Sequence, residues 1–186
     1  MRKVLIACLA VPTVLYAQTA GLGLKPGLWE VRIVKQVVDG RDLSAQMSQM
    51  GRQMQLAMEH MPPEQRARMQ AMLKARGVSP AANGGYRICI SPQMARRNSP
   101  ILGMKGHCQA FKVTRSGNRA TYSYSCASTE GTTSGTAVAT ITTDLVTTQT
   151  DATTQSAHGE KHTMHTESQM RYLGADCGDV KPSEPH

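Results

Sequence analysis

The sequence predicts an α+β domain in which an antiparallel sheet dominates and one helical segment is inserted. After residue 85, segments rich in Thr, Tyr and Val alternate between apolar and polar side chains, as half-buried strands do. Residues 43–76 instead repeat apolar side chains every three or four positions, which is the period of a helix. Short turn signals between the strands favour consecutive hairpins. We therefore expect six or seven strands in a curled sheet or partial barrel, with the helical insertion laid over it.

The N-terminus has the pattern of a cleaved export signal over residues 1–17. Arg2 and Lys3 are followed by an apolar run that is too short for a membrane-spanning helix of ~20 residues, and Ala17 is a small residue before the cut. Cleavage after residue 20 is the alternative. These features predict export to the periplasm or the medium by a Gram-negative bacterium.

The remaining chain is long enough for one domain with its own core, which we place at 25–178. Its first strand starts after the Pro26-Gly27 turn and puts Trp29, Val31, Ile33 and Val37 on one face. The polar tail at 179–186 is expected to be disordered. The core is expected to include methionines from the helices together with Trp29, Val31, Ile33, Phe111, Val113, Tyr122, Val138, Ile141 and Leu145.

The helical insertion has start and stop signals. Asp42 can accept a free first-turn N–H, Pro62-Pro63 divides the segment into two helices, and Gly77 is suited to end the second. The later strands are expected at 86–90, 108–114, 120–126, 132–141, 145–154 and 161–172, and a turn is expected at 115–118.

Four cysteines lie in the predicted mature chain, and an even number in an exported protein indicates two disulfides. Of the three connectivities we favour Cys89–Cys108, which closes a loop rich in Pro and Gly, and Cys126–Cys177, which ties the sheet to the C-terminal end. A zinc site built from all four thiolates is disfavoured because the chain has no C-x2-C pair.

Positive charge is concentrated in residues 84–120, which hold seven Lys or Arg and no acid, within a whole-chain formal charge of +8. Such a segment is either a solvated surface or a site for peripheral contact with an anionic membrane. Nucleic acid is not expected as a partner, because the sequence has no nucleic-acid-binding motif and no aromatic residues interleaved with its Lys and Arg residues.

Two clusters could carry chemistry. The methionine stripe suits either Cu(I), which prefers soft thioethers, or adaptable apolar packing, and helical spacing is more typical of packing. The histidines could bind nickel, zinc or copper, but strand alternation separates His162 from His165, which favours solvated histidines. The candidate residues are Met47, Met50, Met54, Met58 and Met61, and His158, His162 and His165.

No catalytic constellation is present. There is no Gly-x-Ser-x-Gly elbow, and Cys108 beside His107 cannot act as a thiolate once it is disulfide-bonded. We predict a protein that is not an enzyme and that has no cofactor.

The chain resembles an exported bacterial family catalogued as domain of unknown function 3617. This resemblance implies an envelope-located, β-rich domain with two disulfides, and it supplies no catalytic residues, substrate or cofactor. It rests on residues 25–31 (KPGLWEV), Met61-Pro62-Pro63, Cys89-Ile90-Ser91-Pro92, Cys108, Cys126 and the segment 170–177.

Three functions follow from these observations. The first is a binding module for a hydrophobic ligand or an envelope partner of unknown identity. The second is a Cu(I)- or metal-handling protein that uses the Met and His clusters. The third is a structural or stress-associated envelope protein that docks on anionic surfaces.

Overall fold

The structure is a computed structural model that describes residues 23–75, 77–81, 84–96 and 107–182. The predicted signal at 1–17 lies outside the described residues. Within the described part, three helices and nine strands follow one another along the chain. They are β1 Gly27–Val38, β2 Arg41–Asp42, α1 Ser44–Glu59, α2 Pro63–Ala75, β3 Val78–Pro80, β4 Tyr86–Ile90, α3 Pro92–Arg96, β5 His107–Ser116, β6 Arg119–Ser128, β7 Gly131–Ile141, β8 Leu145–Ser156 and β9 Lys161–Gly174.

All strands belong to one antiparallel sheet whose order is β3-β4-β1-β9-β8-β7-β6-β5, with β2 added to the end of β1. The last five strands run up and down as consecutive hairpins, as the turn signals predicted. The first strand returns to pair with the last one, and the sheet curls without closing. The prediction of a mainly antiparallel curled sheet with a helical insertion is confirmed. The seven longer strands were predicted, whereas the short strands β2 and β3 and helix α3 were not.

The core lies at one end of the sheet, where β1 starts and β9 ends. Trp29 has no exposed surface, and Val31 is buried beside it. Side chains of the short helix α3 reach the same cluster, so that this helix packs on the start of the sheet. The cluster consists of Leu24, Trp29, Val31, Ile88, Ile90, Met94, Ala95, Ala120, Tyr122, Ala139, Ile141, Val146 and Met170.

The opening motif of the domain fixes β1 against the end of β9. The indole Nε1 of Trp29 donates a hydrogen bond to the carbonyl oxygen of Lys25 at 2.9 Å, and the indole meets the ring of Tyr172 edge-on with centroids 5.3 Å apart. The Lys25 ammonium lies 5.0 Å from the centroid of that tyrosine ring and 2.8 Å from a carboxylate oxygen of Asp144. The motif is therefore a structural device that joins the two ends of the domain.

A bulge in β1 changes the predicted facing of its second half. The register with β9 shifts between Ile33 and Lys35, so Gln36 rather than Val37 shares the face of Trp29. Because β4 pairs with β1 only as far as Val31, Ile33 lies beyond the covered part of the sheet and is 47% exposed. The predictions that Ile33 is in the core and that Val37 faces with Trp29 were wrong.

Strand register decides the other core assignments. Leu145 lies opposite Arg171 and is 39% exposed, whereas its neighbour Val146 lies opposite the buried Met170. Val138 lies three positions before Ile141 on β7, so its side chain points to the opposite face of the sheet, where it is half-buried. Trp29, Val31, Tyr122 and Ile141 are buried as predicted, Val113 is partly buried against the core, and the side chain of Phe111 lies outside the described part.

Helices α1 and α2 lie beside the sheet rather than over it. Helix α1 is attached to the edge of β1 between β2 and β4, where Leu43 N–H donates to the carbonyl of Gln36 and Gln36 N–H donates to the hydroxyl of Ser44. No residue of α1 is buried. The expectation that methionines of the 43–76 helices fill the core was therefore wrong, because the core cluster consists of sheet side chains, Leu24 and the side chains of α3.

The two disulfides join Cys89 to Cys177 and Cys108 to Cys126. The presence of two bonds confirms the count, but the favoured connectivity was wrong. Cys108 and Cys126 lie directly opposite each other in the β5–β6 hairpin, and β4 brings Cys89 close to the residues that follow β9. Counting outward from the turn at Gly117 would place Cys108 opposite Ala127; the register shift between Cys108 and Ala110 is what brings Cys108 opposite Cys126.

We predict that Gly27→Ala unfolds the domain at a markedly lower urea concentration. Gly27 has φ +134°, and an added Cβ would lie 2.2 Å from the carbonyl oxygen of Gly174. Strain of this kind costs on the order of 1–3 kcal/mol before the clash is counted. The control is Gly174→Ala, whose Cβ would meet no atom within 4 Å. Equal urea midpoints for the two variants would contradict this account of the motif.

Candidate functional site

The most exposed apolar surface in the described part of the chain lies on the helical hairpin. We call the side of α1 that carries Met47, Met50 and Met54 the methionine face; these side chains are 37%, 57% and 62% exposed. Their spacing places them on adjacent turns of one side of the helix. Met58 and Met61, which continue the stripe, are half-buried where the two helices meet.

Arg66 holds the hairpin together. From α2 its guanidinium donates to the carbonyl oxygens of Glu59 at 2.7 Å and Met61 at 3.0 Å, at the C-terminal end of α1. A cation at this end also complements the helix dipole and satisfies carbonyls that the helix leaves free. No pattern in the sequence marks Arg66 for this role, and it was not among the predicted site residues.

The ends of the hairpin follow the predicted signals. The carboxylate of Asp42 accepts the N–H of Ser44 at 2.9 Å, and hydrogen bonds from Ser44 hold the pKa of Asp42 below its usual value. Gly77 has φ +70° and donates its N–H to the carbonyl of Lys74 at the end of α2. Lys74 also contacts Asp179 at 2.7 Å, which ties α2 to the C-terminal segment.

A cleft of about 440 Å³ lies between the hairpin and β3. Six of its nine lining residues are polar or charged, but apolar atoms supply the larger share of the lining surface, so the cleft is mixed in polarity. The residues around it are Gln55, Met58, Glu59, Arg66, Gln70, Lys74, Ser79, Pro80 and Ala81.

A larger groove of about 610 Å³ lies where the curled sheet is not filled by the core. Tyr124, Gly135, Ala152 and Met164 lie directly opposite one another on four adjacent strands and form one row of its lining. A Cβ on Gly135 would lie 2.8 Å from the Tyr124 hydroxyl, so this tyrosine occupies the space above the glycine. Thr, Ser, Asp and His residues on the flanking positions make the groove mixed in polarity.

The predicted histidine cluster is not gathered into one site. His158 is exposed in the β8–β9 turn, and Nδ1 of His162 lies 2.8 Å from an Asp39 carboxylate oxygen at the end of β1. His165 lies between two carboxylates, with Nδ1 2.7 Å from Asp151 and Nε2 3.3 Å from Glu167. Within the described ranges, no group of three or more His, Cys, Asp or Glu residues is arranged to hold a metal ion.

Both engaged histidines favour their protonated forms. The hydrogen bond to Asp151, and then that to Glu167, raises the pKa of His165. The hydrogen bond to Asp39 raises the pKa of His162 and at the same time lowers that of the aspartate. These pairs are electrostatic links between neighbouring strands and turns of the sheet.

The basic segment is only partly described, since Arg97 and Lys105 fall outside the described residues. Arg87 lies on β4, while Lys112 and Arg115 lie on β5 at the other end of the strand order. In the described part of the chain, no helix has both the length and the apolar character needed to cross a membrane.

Comparison with known proteins gives two matches. The model of a family described as protein of unknown function (DUF3617) matches residues 24–177. A Pseudomonas putida protein described as an uncharacterized protein in the lpd-3 5′ region is 34% identical over 109 residues, which are 58% of this chain and 72% of that protein. No solved structure matches the chain.

We predict that the domain loses thermal stability as the pH rises through the raised pKa of His165. Because the folded state favours the protonated imidazole, its stabilising contribution is complete below the ordinary value of 6.5 and is lost above the folded pKa. Melting temperatures measured from about pH 6 to about pH 9 should fall less steeply for His165→Gln than for the unaltered protein. The exposed His158→Gln variant should keep the original slope; a slope unchanged by His165→Gln would refute the assignment.

Proposed function

Because the chain belongs to the DUF3617 family of proteins of unknown function, we propose a role from its geometry. In this proposal the protein is an exported, non-catalytic binding module that contacts the apolar surface of an envelope protein through the methionine face of α1. The observation that carries this proposal is the exposure of Met50 and Met54 on a helix that contributes nothing to the core.

Exposed methionines are costly unless a partner covers them. Burying apolar surface contributes a favourable free energy of about 25 cal/mol for each Å² removed from water. A row of large apolar side chains on one helix face is typical of an interaction surface. Methionine is unbranched and flexible, so the same face can adapt to a partner of irregular shape. An amphipathic helix that lays its apolar side in a groove is a recurring mode of recognition.

An apolar partner fits the charges of the hairpin better than an anionic membrane does. Helix α1 carries only Arg52 and Glu59 as charged residues. On α2, Arg66 is engaged with carbonyls of α1 and Lys74 with Asp179, and the exposed Arg68 lies one helical turn after Glu64. Contact through this face is therefore expected to depend on buried area and to be insensitive to salt.

The chemistry of the cysteines supports the other two parts of the proposal. Two disulfides are typical of proteins that fold in an oxidising compartment, which favours export to the periplasm. A sulfur held in a disulfide is not a thiolate nucleophile, which favours a non-catalytic role.

We predict that a photo-crosslinking residue at position 50 forms one discrete protein adduct in the periplasm of producing cells. The same residue at position 147, on strand β8, serves as the control and should form no such adduct. The adduct should be lost with Met54→Gln, which removes apolar area, and kept with Met54→Leu, which retains it; both residues are good helix formers. Adducts that are absent, or identical from both positions, would overturn the proposed surface.

Flotation with vesicles of phosphatidylethanolamine and phosphatidylglycerol distinguishes the remaining alternative. We expect the purified protein to stay with the soluble fraction at both low and high salt. Flotation at low salt that is abolished by high salt would instead favour docking on an anionic surface.

A further inference from the structure

The exposed apolar side chains of the hairpin are methionines rather than leucines. Helices α1 and α2 together expose six large apolar side chains, and Leu56 is the exception among them. Leucine supports a helix at least as well as methionine and provides a similar apolar area. Apolar area alone therefore does not require methionine, which adds flexibility and a thioether sulfur. The five exposed methionines are Met47, Met50, Met54, Met69 and Met72.

What distinguishes methionine is its thioether sulfur. A thioether is a soft, uncharged ligand that favours Cu(I) over harder divalent ions. It carries no proton at any ordinary pH, so binding of the ion does not compete with protonation, in contrast to thiolate and imidazole ligands.

Three of these sulfurs are placed to reach one ion. Met47, Met50 and Met54 stand at i, i+3 and i+7 of α1, so neighbouring members have Cβ atoms roughly 5–6 Å apart on the same side of the helix. Each side chain has three rotatable bonds, and those of Met50 and Met54 are more than half exposed while that of Met47 is 37% exposed, so the sulfurs can turn toward a common point. The helix holds the three positions in a fixed order.

We propose that Met47, Met50 and Met54 form a three-sulfur Cu(I) site on α1. This inference rests on the proposed function in that it uses the methionine face as the binding surface. It adds a ligand that is recognised by sulfur instead of by apolar area.

His162 and His165 lie on the sheet and not on α1. Nδ1 of His162 contacts Asp39, and His165 contacts Asp151 and Glu167 on the sheet, so these imidazoles are engaged as parts of ion pairs. The proposed site is therefore sulfur-only, and it should not retain Zn²⁺, which prefers thiolate, imidazole and carboxylate ligands.

The test is a competition titration of the mature, disulfide-bonded protein with Cu(I) and bicinchoninate. Cu(I) is supplied as its acetonitrile complex under argon, so no reductant reaches the disulfides. We expect one equivalent of Cu(I) to be retained with an affinity that does not change between about pH 5.5 and about pH 7.5. Replacement of all three residues by leucine should weaken retention by on the order of 100-fold.

The matched control is Met69→Leu with Met72→Leu, which removes two exposed sulfurs from α2 and should leave the affinity unchanged. Circular dichroism of the triple variant shows whether α1 is intact. A triple variant that is folded and still binds Cu(I) like the unaltered protein would overturn the site, as would an unaltered protein that yields all Cu(I) to the competitor.

The two proposals fail separately. The triple leucine variant keeps the apolar face, so crosslinking from a neighbouring position of α1 should persist while Cu(I) binding is lost. If the otherwise unaltered protein forms no crosslink but retains Cu(I), the proposed metal site stands and the proposed protein partner is refuted.

Discussion

The pairing of the first strand with the last, with Trp29 buried beside it, is the constraint on which the structure depends. β1 joins the β5–β9 hairpin stack to β4 and β3, and the Cys89–Cys177 disulfide holds the same junction covalently. Removing a buried tryptophan side chain costs about 3–5 kcal/mol, against a total stability of about 5–15 kcal/mol for a typical domain. The residues that carry the family resemblance at the two ends of the domain meet here, so we interpret them as structural.

This junction also explains why the hairpin is available for binding. The core is completed by the sheet and by Met94 and Ala95 of α3, so it needs no side chain from α1. The hairpin is attached through backbone and hydroxyl contacts at Gln36, and Arg66 keeps its two helices together. A segment fixed at its base and unneeded for the core can retain an apolar face for another molecule.

Local patterns were enough to predict the seven longer strands and the two long helices, including the helical breaks at Pro62-Pro63 and Gly77 and the hairpin turn at Gly117, but not β2, β3 or helix α3. They were insufficient where the outcome depends on strand partners. The bulge after Ile33, the exposure of Leu145 and the pairing of Cys108 with Cys126 all follow from register. The spacing of the methionines at every three or four residues likewise indicated that they share one side of a helix, but it could not indicate what packs against that side. The Arg66 contacts join residues whose spacing has no recognisable signature.

Brief oxidation of the folded protein with hydrogen peroxide, followed by peptide mass spectrometry, tests the exposure of the methionine face most directly. Buried thioethers react slowly, and Met94 and Met170, which are 9% and 7% exposed, provide internal controls. We predict that Met50 and Met54 become sulfoxides well before Met94 and Met170 do. Equal protection of all four would mean that α1 packs its methionines against the sheet, which would contradict both the open hairpin and the binding role proposed for it.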